Sequence, residues 1–253
     1  MANTIFSIFR LFCSNNRNVI KTCLRYQSNE EFFLNDVEHK EKIPCNAQTF
    51  RVIFFRKGGL TMSELNVRYG RISDLNGMIQ LDRKLYPQDW QVERAFVGRL
   101  LERNKRVYKI VEDNGELKGY SSLIPLDKRT YDQLLLGLID ESRICHHALA
   151  YKKGREVYIY FSSIIVDIFH EDRKKYSRAL ILELLDWIED IQETGVVIKE
   201  FGMIAITEAG NRICQRLGFK KAGEVKEHGE TYNVYKGTVE DVRTGIKVKQ
   251  MMG

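Results

Sequence analysis

The stretch HEDRKKYSRALIL, residues 170 to 182, sets Arg173, Lys174, Lys175 and Arg178 directly before an apolar helical pattern. It follows the strand-like run VYIYFSSIIVD and leads into ELLDWIEDIQETG. A strand passing through a short loop to a helix N-terminus is suited to hold a phosphate, because first-turn N–H groups and the helix dipole both favour an anion. Such loops are commonly built from glycine, which lets backbone approach the ligand closely. This one contains none, so any phosphate contact must come largely from the Arg and Lys side chains. The competing reading is a solvated basic first turn, which is uncomfortable because cations sit poorly at a helix N-terminus.

Other reactive residue types are scattered. The five cysteines (Cys13, Cys23, Cys45, Cys145 and Cys214) show no CxxC or other metal-ligand spacing. Their odd number and wide separation fit a reducing compartment better than a disulfide framework. His146 and His147 are adjacent and would face different ways on a helix or strand, so no metal site is expected there.

The elements that would position these residues read clearly from Met62 onward. LNVRYGRI alternates like a strand and runs into a helix started by Ser73 and Asp74. VERAFVGRLLERN reads as a second helix, and RVYKIVEDNGELKGYSSLIPL as two strands turning at Asp113-Asn114-Gly115. Residues 130–150 are expected to be helical, with Tyr131, Leu134, Leu135 and Leu138 on one face. The long strand REVYIYFSSIIVD precedes a helix over 173–194, carried by Tyr176, Leu180, Leu184, Trp187 and Ile191 and stopped at Gly195. A strand KEFGMIAIT, a short helix EAGNRICQRLGF and a hairpin turning at His228-Gly229 follow, and a loose tail is expected from 240 to 253. The order predicts an α/β (α+β) domain with a mixed sheet.

That order, with the basic loop after Val166 and the TEAGNRICQRLGF helix closing on Leu-Gly-Phe, resembles the GNAT acetyltransferase superfamily over about residues 66–239. The resemblance implies a mixed, mostly antiparallel central sheet flanked by helices, with acetyl-CoA as co-substrate and an amine as acceptor. The family's Arg/Gln-x-x-Gly-x-Gly/Ala motif falls best on Lys174-Lys175-Tyr176-Ser177-Arg178-Ala179. Ser177 then stands where the first glycine belongs, and Ala179 matches the permitted alanine. The cofactor-binding set implied is Ile165, Val166, Arg173, Lys174, Lys175, Ser177, Arg178, Ala179 and Thr207, the last in the place of an Asn. Backbone N–H groups between Ser162 and Val166 would face the acyl carbonyl. Cys214 takes the place of the Tyr used as general acid; a thiol could do that work, though a buried, inert cysteine is the alternative. Candidate bases are Glu156 and Asp167 at the ends of the long strand, with Glu200 behind them and His170 in the loop. Tyr86, Trp90, Tyr232, Tyr235, Asp82 and Asp89 are candidates for the acceptor pocket, whose amine the sequence does not identify.

Composition bounds the alternatives. The net charge is +6, but residues 1–61 hold nine Lys/Arg against five Asp/Glu, which leaves only +2 on the remainder. A nucleic-acid footprint therefore has little support, and no apolar run is long enough to span a bilayer. KGGLTM at 57–62 can be encoded as a ribosome-binding site followed by a start codon, so residues 1–61 are read as an untranslated leader. A mitochondrial presequence competes, since Arg10, Arg17, Lys21 and Arg25 punctuate an acid-free start. The domain is expected over 62–240 in a cytoplasmic protein, and the resemblance allows a homodimer. Two further readings stand beside the enzyme: a GNAT-like domain that binds CoA, a nucleotide or a partner without turnover, and a nucleic-acid binder using Arg173 to Arg178.

Overall fold

The structure, a computed structural model, describes residues 65–86, 88–227 and 229–251. The readings of residues 1–61 as leader or presequence, and of His228 as a turn residue, lie outside the described residues. Seven strands form one sheet: β1 (Leu65–Tyr69), β2 (Tyr108–Asp113), β3 (Glu116–Leu126), β4 (Glu156–Val166), β5 (Val197–Ala205), β6 (Lys220–Glu227) and β7 (Glu230–Gly237). Their order across the sheet is β1-β2-β3-β4-β5-β7-β6. Neighbours run antiparallel except β4 and β5, which are parallel. The helices are α1 (Leu75–Leu85), α2 (Arg94–Arg103), α3 (Lys128–Leu135), α4 (Arg173–Gln192), α5 (Glu208–Arg216) and α6 (Val239–Met251). The mixed, mostly antiparallel sheet with flanking helices is the architecture expected.

Local chemistry explains the boundaries. Asn114 and Gly115 both have positive φ (52° and 79°), the requirement of a two-residue turn whose twist matches the β2–β3 ladder. Asp127 caps α3 by accepting from Thr130 N at 3.0 Å.

Each face of the sheet buries its own core. One face packs Tyr176, Leu180, Leu184 and Trp187 of α4 against Val111, Leu123, Phe161 and Ile164. On the other, α1, α2 and α3 cover Tyr120, Ile124, Tyr160 and Ile165. A buried ion pair, Lys109 Nζ to Glu183 Oε1 at 2.7 Å, fixes α4 over β2. Burial pushes the Glu183 carboxyl up, and Lys109 opposes that shift.

Two expectations are corrected. Residues 130–150 do not form one helix: α3 ends at Leu135, Gly137 takes φ 68°, and a 3-10 turn follows over Glu141–His146. Leu138 therefore leaves the apolar face and is 69% exposed. The tail is not loose either, because α6 inserts Val242 and Ile246 into the α4-side core.

Candidate functional site

The parallel pair β4–β5 provides the crevice. Their ladder runs from Glu156 opposite Val197 to Tyr160 opposite Gly202. Beyond it β5 pairs with β7 only, and β4 continues to Val166 with β3 as its sole ladder partner among the described residues. From Phe161 to Val166 the β5-side edge of β4 can thus hydrogen-bond an extended, amide-bearing ligand as an added strand would. Helices α4 and α5 begin just after the carboxyl ends of these two strands, so both helix N-termini follow the strand ends at which the ladder opens. Crevices of this kind, outside the carboxyl ends of diverging strands, are favourable ligand sites in sheets.

A β-bulge sharpens the divergence. Ser122 pairs with Ser163 while the next β3 residue, Leu123, pairs with Phe161, which leaves Ser162 as the extra residue of β4. The side-chain alternation shifts accordingly. Phe161 and Ile164 face α4, whereas Tyr160 and Ile165 face α1–α3. Ser162 and Ser163 both turn to the α1–α3 face, where Ser122 Oγ lies 2.8 Å from each of their hydroxyls.

The loop into α4 is held by side chains. Asp167 accepts from Lys84 Nζ at 2.6 Å and from Phe169 N at 3.1 Å. Asp172 stands at the N-cap without a side-chain cap bond. Tyr176 is fully buried, lies beside His170 with ring centroids 5.1 Å apart and planes tilted by 57°, and donates to Asp113 Oδ2 at 2.8 Å.

No protein-family model and no curated protein matches the sequence. Solved structures do. The loading GNATL domain of CurA from Lyngbya majuscula superposes with TM-score 0.55 at 15% identity, covering 70% of this chain and 98% of that one. The GphF GNAT-like decarboxylase, in complex with isobutyryl-CoA, gives TM-score 0.50 at 12% identity over 69% of this chain and 99% of that one. The structure of yncA from Salmonella typhimurium with its cofactor acetyl-CoA gives TM-score 0.45 at 17% identity over 69% and 94%. The chain has the GNAT fold.

On the GNAT frame the basic loop divides into residues already engaged and residues at liberty. Lys175 Nζ lies 3.4 Å from Asp113 Oδ2, Ser177 Oγ donates to Lys174 O, and Ala179 packs against the α4-side core. Arg173 and Arg178 have no ion pair among the described residues. Ile165 and Val166 are buried strand residues at the diverging edge. Thr207 caps α5, its Oγ1 accepting from Gly210 N at 3.0 Å, and so lies at the second helix N-terminus of the crevice.

The catalytic candidates separate. Cys214 is fully buried, its Sγ 3.5 Å from Met203 Sδ, and burial pushes its thiol up to about 12. A thiol enclosed in the core cannot serve as the acid at the crevice. Glu156 sits at the far end of β4, exposed and 3.2 Å from Lys199 Nζ. Ten residue steps of extended chain, roughly 33 Å, separate it from Val166. It does not join the site. Asp167 directly follows Val166 at the carboxyl end of β4 and is engaged by Lys84. Glu200 accepts from Tyr131 Oη at 2.9 Å and lies 3.1 Å from Lys236 Nζ.

Of the acceptor-side candidates, Asp82 is fully buried and accepts from Val92 N at 2.7 Å, a structural task. Tyr232 joins the α1–α3-side core, while Tyr235 faces the other way and donates to Asn211 Oδ1 at 2.9 Å. The Asp89 side chain lies outside the described residues. Sequence reasoning missed Glu141, a buried acid on the α1–α3 face 3.2 Å from Tyr160 Oη. It also missed Ser122. The only available signal was two Ser-Ser pairs in strand patterns, Ser121-Ser122 and Ser162-Ser163.

Proposed function

We propose that the chain binds acetyl-CoA in the β4–β5 crevice and transfers the acetyl group to a primary amine. The observation that carries this reading is the divergence of β4 from β5 beyond Tyr160, at the strand ends from which the chain runs into α4 and α5. The β4 edge from Phe161 to Val166 would take the amide-bearing arm, leaving the acyl carbonyl near N–H groups that favour a developing oxyanion. Arg173 and Arg178 would meet the pyrophosphate in place of the missing glycines, with Lys174 beside them. The neutral amine attacks the thioester carbon, the C–S bond breaks, and the leaving thiolate takes up the proton that the attacking nitrogen gives up. Holding the amine against the thioester supplies much of the acceleration. Asp167, at the carboxyl end of β4, would receive the ammonium proton.

A non-catalytic reading is favoured by two features: Tyr176 fills the first turn of α4, and Cys214 is unusable as an acid. Calorimetric titration of acetyl-CoA into the full chain, with Arg173→Ala/Arg178→Ala alongside, tests binding. Micromolar affinity that the variant loses is the expected outcome, and no heat from the intact chain would sink the proposal. Thiol release with a panel of amines then separates enzyme from binding module: binding without release with any amine would favour the module.

A further inference from the structure

We infer that the hydroxyl cluster of Ser122, Ser162 and Ser163 donates a hydrogen bond to the carbonyl oxygen of the bound acyl thioester. This rests on the acyl-CoA reading and specifies which side chains act within it. The three residues are at most 2% exposed, and Ser122 Oγ lies 2.8 Å from both Ser162 Oγ and Ser163 Oγ. Each hydroxyl has one proton to give and two lone pairs to accept with. Two oxygen–oxygen contacts consume two protons; the trio holds three. One donor is therefore in surplus, and among the described residues no other acceptor meets these hydroxyls. The neighbouring Ser121 cannot absorb it: its own hydroxyl donates to Ser163 O at 3.0 Å, from the opposite face of β3.

A buried donor without an acceptor is costly, and three serines in two central strands are poor choices if packing were their only task. Their place explains them. Ser162 and Ser163 are the second and third residues past Tyr160, the last β4 residue laddered to β5. They exist on one face only because the bulge puts them there. The surplus proton thus lies where the two strands part, flanked along β4 by buried Tyr160 and Ile165. In surroundings so poorly solvated, a neutral donor strengthens as the carbonyl oxygen gains negative charge during attack, with no proton transferred.

The test is isotope-edited infrared spectroscopy of [1-13C]acetyl-CoA bound to the full chain. The wild-type protein should lower the carbonyl stretch relative to the free thioester. Ser122→Ala/Ser162→Ala/Ser163→Ala should return it toward the free value while binding unacylated CoA within about twofold of wild type, a change of less than about 0.4 kcal/mol. Ser121→Ala should keep the shift. If the triple variant does not fold, Ser122→Ala, Ser162→Ala and Ser163→Ala are compared singly, and one of them must lose most of the shift. A bound carbonyl at the solution frequency, or a shift that survives every variant, overturns the inference and leaves the acyl-CoA reading intact. Absence of any acetyl-CoA binding overturns both.

Discussion

The phenol of Tyr176 donates to Oδ2 of Asp113 across 2.8 Å, joining the first turn of α4 to the end of β2. Asp113 is 5% exposed, its Oδ1 has no hydrogen-bond partner, and its remaining contact is Lys175 Nζ at 3.4 Å. Tyr176→Phe withdraws a donor from a buried carboxylate, which should cost about 1–3 kcal/mol. Urea unfolding should show a lower midpoint at unchanged slope. A midpoint equal to wild type would mean that Lys175 alone satisfies Asp113.

Cys214 should leave a signature at alkaline pH. Burial raises its thiol from 9.0 to about 12. Above pH 9 the unfolded chain ionises this group while the folded chain keeps it protonated. The folded state then loses about 1.4 kcal/mol per pH unit from this residue until pH approaches 12. The contribution is fully present below pH 9. Cys214→Ala should flatten the fall between pH 9 and 12 relative to wild type in denaturant titrations, and identical slopes would refute the assignment. The same variant should retain any thiol release from acetyl-CoA, as expected of a residue outside the chemistry.

Gly202 marks the last β4–β5 rung, and a Cβ there would lie 2.6 Å from Leu135 Cδ1 and 2.6 Å from Tyr131 Oη. Tyr131 is tied to Glu200 and cannot swing away freely. Gly202→Ala should therefore destabilise by about 1–3 kcal/mol through overpacking. It should also weaken acetyl-CoA binding by moving the point where the strands part. A variant with wild-type melting behaviour would show that α3 yields more easily than these contacts imply.

The departures from the expected helices can be tested as a pair. Ile246→Ala in α6 removes a side chain that is 5% exposed and should cost about 2–5 kcal/mol. Leu138→Ala, at 69% exposure, should fall within about 0.5 kcal/mol of wild type. Equal effects in thermal melts would place the two residues in similar surroundings and contradict the structure.

What could be read from the sequence was local. Asn114-Gly115 announced a hairpin, and the three- and four-residue steps from Tyr176 to Ile191 announced α4, because each signal sits within one turn or one helix face. The boundary errors also have local causes. The apolar period of α3 continues to Leu138 past a glycine that terminates the helix, and the α6 pattern is too weakly amphipathic to promise burial. The site was legible only as far as single segments carry chemistry. The basic loop was visible, but the pairing of Ser122 with Ser162 and Ser163 spans about forty residues and depends on a bulge without a sequence mark. For the same reason Cys214 could be matched to a motif position, while its contact with Met203 could not be foreseen.

The single parallel rung set has a mechanical consequence. It makes the sheet two leaves, β1 to β4 and β5 with β7 and β6, bound along a short spine of five residue pairs from Glu156 to Tyr160. Past that spine nothing in the ladder ties leaf to leaf. A molecule lying along the open margin would act as a bookbinder's thread, and the angle between the leaves, more than the shape of either one, would decide what can be held there.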